Sequence, residues 1–295
     1  MGTLVLVATP LGNLGDISAR AIQALRSAAL ICCEDTRRTG GLLSHLGISG
    51  VRMAIANEHT EIARVAEVLD LLAAGRTVAV VTDAGTPGIS DPGERLVAAA
   101  IAEGHTVSAV PGPSADVMAL VISGLPSARY VMDGFLPRSG PDRGVRLREA
   151  ATEPRTVVLY EAPHRLVRTL TDLHELCGAT RRVVLARELT KMHEDVWRGT
   201  LGDALAHVAE RPPLGEYVIV LDGAPARAEA TDDDIRGDLT RQFAEGASKK
   251  TAIAAVAEHL GVAKNRVYDL ALAMPRDPGR ATGDGADQVR GTSAS

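Results

Sequence analysis

Aromatic side chains are few: one Trp, four Tyr and two Phe in 295 residues. That is too few for a platform on which successive nucleic-acid bases stack. Cysteine is also scarce. Of the three cysteines, Cys32 and Cys33 are adjacent in the apolar run LICC, which excludes a disulfide framework and predicts packing in a buried strand. No Cys/His set has zinc spacing, so no metal is expected. The chain lacks both G-x-G-x-x-G and G-x-x-x-x-G-K-[ST], the two common phosphate-cradling loops. No apolar run reaches the roughly 18 residues of a membrane span. MGTLVLVATP lacks a basic leader, so no membrane partner and a cytoplasmic location are expected. A net charge of −5 is not the basic excess of a protein that coats nucleic acid.

What is present is a 45% hydrophobic content divided into short runs. TLVLVA, ALICC, VRMAIA, TVAVV and HTVSAV alternate with helix-like segments at 18–28, 41–46, 61–74 and 92–103. This alternation predicts an α/β fold whose first sheet is mostly parallel, with helices on both faces. VPGPSADVMAL then places a proline-rich hinge before a new helix, with Ser114 at its N-cap. Apolar runs at 129–135, 156–160, 182–186, 195–201 and 217–221 include neighbours with little between them, which predicts a mixed second sheet. The expected organisation is an N-terminal lobe over 1–111, a C-terminal lobe over 112–223, an acidic, Ala-rich linker over 224–234, a helical appendage over 235–274 and a disordered tail over 275–295. Within the appendage, Ile253, Val256 and Leu260 share one helical face, Gly261 turns the chain, and Val267 and Leu270 lie on a second helix opened by Lys264, Asn265 and Arg266. This is the spacing of a helix-turn-helix, and equally of a helical pair packed on the body or on a partner.

Four loops carry chemistry. VVTDAGTPGISDPG, Val80 to Gly93, reads as a strand-to-helix loop with Asp83 at the strand end, Asp91 near the helix start and no Lys or Arg. It suits a neutral or cationic ligand better than a phosphate. ATPLGNLGDIS follows the first strand, where Gly12 and Gly15 permit a tight turn and a close approach, and PGPSA follows the fifth. Loops that leave the C-terminal ends of parallel strands meet along one edge, so these three predict a single cleft. YEAPHR and ARELTK set charged residues directly after apolar strands; helix capping accounts for Glu161 or Glu188 singly, and a cleft accounts for several together. RSGPDRGVRLR carries Arg138, Arg143, Arg146 and Arg148 against Asp142, and fits either a solvated face or a phosphate-contacting surface.

In order along the chain, GNL-DI, CEDTR-T, VTDAGTPGISDPG, PGPSA, GFLP, YE-PHR, ARELTK and GEYVIV resemble the tetrapyrrole methylase superfamily. Within it they resemble the bacterial small-subunit ribosomal RNA (cytidine-2′-O)-methyltransferases, and the SKK and LGV-KN-VY segments resemble the helical appendage of that family. The resemblance implies a two-lobed fold with S-adenosylmethionine folded between the lobes. Carried over by motif, its contacts would be Thr9, Pro10, Asp83, Gly85, Ile89, Ser114, Ala115, Phe135, Leu136, Ala186 and Gly215. It also implies attack of a cytidine 2′-hydroxyl, in the decoding region of 16S ribosomal RNA or the assembled small subunit, on the sulfonium methyl, by a homodimer. Candidates to take the hydroxyl proton are Glu58 and His59 in IANEHTE, or Lys191 and Glu194. Arg37 and Arg38, with Arg138, Arg143, Arg146 and Arg148, would meet RNA phosphates. Leu214 stands where family members often have a lysine. A corrin or other tetrapyrrole methyltransferase would explain the cofactor motifs equally, but leaves the basic segment and the appendage without a purpose. A non-enzymatic ligand-sensing regulator of nucleic acid would need a stronger basic footprint than Lys264 to Arg266.

Overall fold

The computed structural model describes residues 2–57, 60–225 and 230–274. The described residues fall into two compact units, divided after Pro225. The first unit opens with β1 (Thr3–Val7), α1 (Ala19–Ser27), β2 (Leu30–Cys33), α2 (Thr36–His45), β3 (Met53–Ile55), α3 (Glu61–Ala73), β4 (Thr77–Val80), α4 (Glu94–Ala102) and β5 (Thr106–Val110). It continues through α5 (Ala115–Ser123), β6 (Tyr130–Phe135), α6 (Pro141–Thr152), β7 (Thr156–Glu161), α7 (Pro163–Cys177), β8 (Arg182–Arg187), β9 (Asp195–Thr200), α8 (Leu201–Glu210) and β10 (Tyr217–Leu221).

The first sheet has the order β3-β2-β4-β1-β5 and is parallel throughout. Its strands are apolar on both faces because helices cover both. Leu30, Cys32, Val78 and Val80 pack against Val68 and Leu72 of α3 and Leu96 and Ala100 of α4. The alternate residues Ile31, Cys33 and Ala79 pack against Ala21 and Leu25 of α1 and Leu43 of α2. Cys32 and Cys33 are thus fully buried on opposite faces of one strand, as free thiols.

The second sheet has the order β6-β7-β10-β8-β9. Only β6 and β7 run parallel; the pairs β7/β10, β10/β8 and β8/β9 are antiparallel. Leu159, Leu185 and Ile219 face Leu166, Leu170 and Leu173 of α7 and Leu201 and Ala204 of α8. Val158, Val184 and Val220 face Ala119 and Leu120 of α5, and Leu11 from the loop after β1 packs in the same cluster. Each buried Leu contributes roughly 1.5–3 kcal/mol on leaving water.

The second unit contains α9 (Asp232–Ala244), α10 (Lys249–Leu260) and α11 (Lys264–Ala273). Thr231 and Asp234 form a reciprocal capping box at the start of α9, so this helix begins inside the segment read as linker. Ile235 and Leu239 of α9 pack with Ile253, Val256, Val267 and Leu270, making three helices where the sequence reading had resolved two. Gly261 closes α10 in the left-handed region, φ 66°. Arg266 pairs with Asp232 of α9 at 2.7 Å, and so serves the internal packing of the unit.

Candidate functional site

The loops that leave β1, β4 and β5 are bound to one another mainly by backbone. Thr9 and Gly85 exchange both N–H···O bonds, 2.8 and 3.1 Å, and the Thr9 hydroxyl donates to the Thr82 carbonyl. Gly85 sits at φ 89°, where an added Cβ would lie 3.2 Å from Leu11. The Thr86 hydroxyl donates to the Pro113 carbonyl at 2.9 Å, fastening the aspartate loop to the hinge. At the far end of this loop, buried Glu61 of α3 accepts from the N–H groups of Gly93, Arg95 and Leu96. One carboxylate thereby caps the N-terminus of α4 and complements its dipole.

Loops from the second sheet are held by charge. Lys191 Nζ lies 2.9 Å from both Glu188 and Glu216, and its aliphatic stem crosses Gly12, where a Cβ would stand 2.2 Å from Lys191 Cγ. The Asn13 N–H donates to the Thr190 hydroxyl at 3.2 Å, so the loop after β1 and the loop after β8 interlock. Glu161, buried at the end of β7, accepts from the Thr169 hydroxyl and pairs with Arg165. Arg165 in turn donates to the carbonyls of Leu136 and Pro137, which ties YEAPHR to GFLP. The non-glycine residues with positive φ among the described residues are Ser90, Glu188 and Thr190. All three belong to these loops, each at a cost of order 1–3 kcal/mol that the surrounding bonds sustain.

Between the two sets of loops lies a cavity of about 480 Å³, within the size range of a small-molecule site. Of the residues proposed for the cofactor, Asp83, Gly85, Ile89, Ser114, Ala115, Phe135 and Ala186 line it. Thr9, Pro10, Leu136 and Gly215 do not. Thr9 and Leu136 are buried beside it, and Leu136 points into the core behind β6 as its neighbour Phe135 faces the cavity. Gly215, at φ 81°, leaves room for Glu188, which its Cβ would strike at 2.5 Å. Lining residues absent from the sequence assignment include Leu11, Glu34, Asp91, Tyr160 and Val218. Glu34 directly follows β2 and Tyr160 is the penultimate residue of β7, the same strand-end position that singled out Asp83.

The Asp83 carboxylate accepts from the Asp35 N–H at 3.2 Å and lies 3.4 Å from Arg38 Nε. Burial lifts its pKa, and Arg38 opposes that. Asp91 is pushed up to about 6, first by burial and then by the charges of Glu34 and Asp83, against a hydrogen bond from Thr82. Tyr160 donates to buried Asp116 at 3.3 Å, as does the Ser114 hydroxyl, and burial followed by the Asp116 charge raises the phenol. Ser114 is the N-cap of α5 as expected, but its hydroxyl serves Asp116 in place of the helix backbone.

Several sequence assignments need correction. Lys191 is held charged: burial would lower its pKa, but the hydrogen bonds that it donates to Glu188 and Glu216 outweigh this and raise it, which argues against a role as base. Glu194 is exposed outside the cavity, where its carboxylate accepts from the Thr190 N–H. Glu58 and His59 lie outside the described residues. Arg143 is buried, bonded to Asp172, Thr169 and the Pro137 carbonyl, and is therefore withdrawn from any RNA surface. Its helical spacing with Leu147 and Ala150, which are also buried, was the signal that charge pattern alone had hidden. Arg146 pairs with Asp133. Arg138 and Arg148 are exposed, as are Arg37, which pairs with Asp35, and Arg38. Leu214 is also exposed, and its carbonyl accepts from Arg187.

The donor set suits a compact cation with hydroxyls. Carboxylates and carbonyls accept, Leu11, Ile89, Phe135, Leu189 and Val218 supply apolar wall, and the lining cations Arg38 and Lys191 are already paired. Among the described residues no group of three or more His, Cys, Asp or Glu could hold a metal ion.

Comparison with known proteins agrees with this architecture. The model of the tetrapyrrole (corrin/porphyrin) methylases matches residues 3–205. The protein named ribosomal RNA small subunit methyltransferase I from Synechocystis sp. is 43% identical over 279 residues, spanning 94% of this chain and 100% of that protein. Its namesake from Mycobacterium tuberculosis H37Rv is 44% identical over 280 residues, 94% and 97% of the two chains. Among solved structures, uroporphyrin-III C-methyl transferase from Thermus thermophilus, complexed with S-adenyl homocysteine, superposes with a TM-score of 0.52 at 20% identity, covering 75% of this chain and 97% of that one. By the family match, and by identity above 40% along nearly its whole length, this chain belongs to the tetrapyrrole (corrin/porphyrin) methylases.

Proposed function

We propose that this protein transfers a methyl group from S-adenosylmethionine to the 2′-hydroxyl of a cytidine in the decoding region of 16S ribosomal RNA, acting in the cytoplasm as a homodimer. The observation that carries the reading is similarity to the ribosomal RNA methyltransferases over 94% of the chain, appendage included, where a small macrocyclic substrate would need no appendage. When bound, the cofactor supplies an electrophilic methyl on a sulfonium. The residues for holding it are those of the cavity: Asp83, Glu34 and the loop carbonyls as acceptors, and Leu11, Ile89, Phe135 and Val218 as apolar wall that excludes water. Holding hydroxyl and methyl at near-attack distance supplies on the order of 7 kcal/mol of the barrier. Arg37, Arg38, Arg138 and Arg148, exposed on the first unit, are the proposed phosphate contacts, and the folded form of ribosomal RNA favours recognition by shape.

The test is transfer of radiolabelled methyl from S-adenosylmethionine to small subunits lacking their modifications, and to their free RNA, followed by nuclease mapping. Label in one 2′-O-methylcytidine that vanishes with Asp83→Ala is the expected result. Label on neither substrate, with cofactor binding intact, overturns the ribosomal assignment. Sedimentation equilibrium checks the dimer.

A further inference from the structure

The cavity holds more titratable groups than binding requires, and nearly all of them are committed. Asp83 has Arg38 and the Asp35 N–H. Glu161 has Arg165, Thr169 and the Ala162 N–H. Glu216 and Lys191 hold each other, and Tyr160 donates to Asp116. Asp91 and Glu34 remain, with no ion pair to either among the described residues. The two are joined through Thr82, whose hydroxyl lies 3.4 Å from Glu34 Oε2 and also hydrogen-bonds Asp91. A threonine hydroxyl has a single proton and two acceptor lone pairs, so it cannot donate to both carboxylates at once. With both carboxylates charged the single hydroxyl proton serves only one of them, and a proton taken up by Asp91 leaves that of Thr82 to Glu34.

We propose that Asp91 is the catalytic base of the methyl transfer, and that Thr82 and Glu34 are positioning residues, Thr82 by hydrogen-bonding its carboxylate and Glu34 by setting a negative charge beside it. This rests on the 2′-O-methylation reading above. In the step, the ribose oxygen forms its bond to the methyl carbon as the sulfur–methyl bond breaks with its electron pair going to sulfur. The hydroxyl proton passes to Asp91, which then returns it to solvent. The loop is built to present this side chain. Ser90 sits at φ 57° against Gly134, where a Cβ would come within 2.7 Å of the Ser90 hydroxyl oxygen. The Gly88 N–H bonds the Pro92 carbonyl across Asp91 at 3.1 Å. The charged and titratable groups around Asp91 are Glu34 after β2, Asp83 after β4 with its partner Arg38, and Tyr160 on β7; Glu94 and Arg95 on the first turn of α4 are exposed. A carboxyl that titrates near 6 is close to the ideal for a base working at neutral pH.

Two readouts test the proposal. In the protein without cofactor, ¹³C-carboxyl NMR, with Asp91 assigned by its loss in Asp91→Asn, should show a titration near pH 6. It should move to higher pH in Thr82→Val, which removes the donor to the carboxylate, and to lower pH in Glu34→Gln, which removes a negative neighbour. With small subunits, kcat/KM should rise through the same pH and its limb should move in the same opposite directions. Asp91→Asn should lower kcat on the order of 100-fold or more with S-adenosylhomocysteine still bound by calorimetry. If Asp91→Asn fails to fold, the shifts in the other two variants decide. An Asp91→Asn enzyme that keeps the wild-type rate and limb, or an Asp91 titration that neither neighbour moves, overturns the proposal. A wild-type enzyme that methylates no ribosomal substrate overturns the functional reading instead, and the NMR titration still reports on the Asp91–Thr82–Glu34 chain.

Discussion

The two sheets reach the cavity by different means. From the parallel sheet come glycine-rich loops fastened mostly by neutral bonds, Thr9 to Gly85 and Thr86 to Pro113. From the mixed sheet come charged side chains fastened by ion pairs, Lys191 to Glu188 and Glu216, Glu161 to Arg165, and Arg143 to Asp172. The first kind depends on the absence of side chains and is indifferent to salt. The second depends on charge, so pH and ionic strength act on it. The difference also separates two carboxylates: Asp91 is pushed up by burial and negative neighbours, whereas Glu188, despite burial that would raise it, is drawn below its ordinary value by Lys191 and the Glu216 N–H.

The largest break in the charged half is expected from Arg143→Ala. It removes the bonds that Arg143 donates to Asp172, Thr169 and the Pro137 carbonyl, at a cost of roughly 3 kcal/mol, the low end for a buried pair because Asp172 is part-exposed, read by urea unfolding. Gly85→Val is the corresponding break in the neutral half. Strain at φ 89° and the contact with Leu11 sum to a stability loss of about 3 kcal/mol, read by the same urea unfolding. Lys191→Ala removes part-exposed ion pairs worth about 1 kcal/mol. Gly12→Ala should have a similar effect, because its Cβ displaces the same lysine, and the double variant should lose little more than either single one.

pH sharpens the contrast. Because the Asp91 pKa is raised on folding, its contribution is favourable at low pH and is lost as pH rises through about 6. Asp91→Asn should therefore raise the melting temperature at pH 8, with the gain fading on acidification. Because the Glu188 pKa is lowered, its contribution is present above the ordinary glutamate range and lost as pH falls through the folded value, so the penalty of Glu188→Gln should shrink in acid. The smallest effect is that of Arg148→Ala, which should leave stability unchanged and reduce the salt slope of RNA binding by about one.

Much of this was legible in the sequence. Strand alternation marks both sheets because each is covered on two faces, and the strand-to-helix loops mark the cleft because parallel strands end together. Of the four cofactor assignments outside the lining, Leu136 has a local reason. Adjacent residues of an extended chain face opposite ways, so Phe135 reaches the cavity and Leu136 does not, and a motif transfers the pair without telling them apart. The pairing of Lys191 and of Arg143 was not legible because a charge in a sequence carries no sign of its partner. Their partners, Glu216 and Asp172, lie 25 and 29 residues away and are brought close only by β8 with β10 and by α6 with α7. Asp91 was visible near a helix start, but the Thr82 and Glu34 contacts that distinguish it arise only where β2 and β4 pair.

The most direct test of the account is a crystal structure of the full chain with S-adenosylhomocysteine. The ligand is expected in the cavity between the two sets of loops, touching Asp83, Gly85 and Ala115 on one side and Phe135, Ala186 or Val218 on the other. A ligand bound elsewhere, or one reaching only the loops of a single sheet, would contradict it.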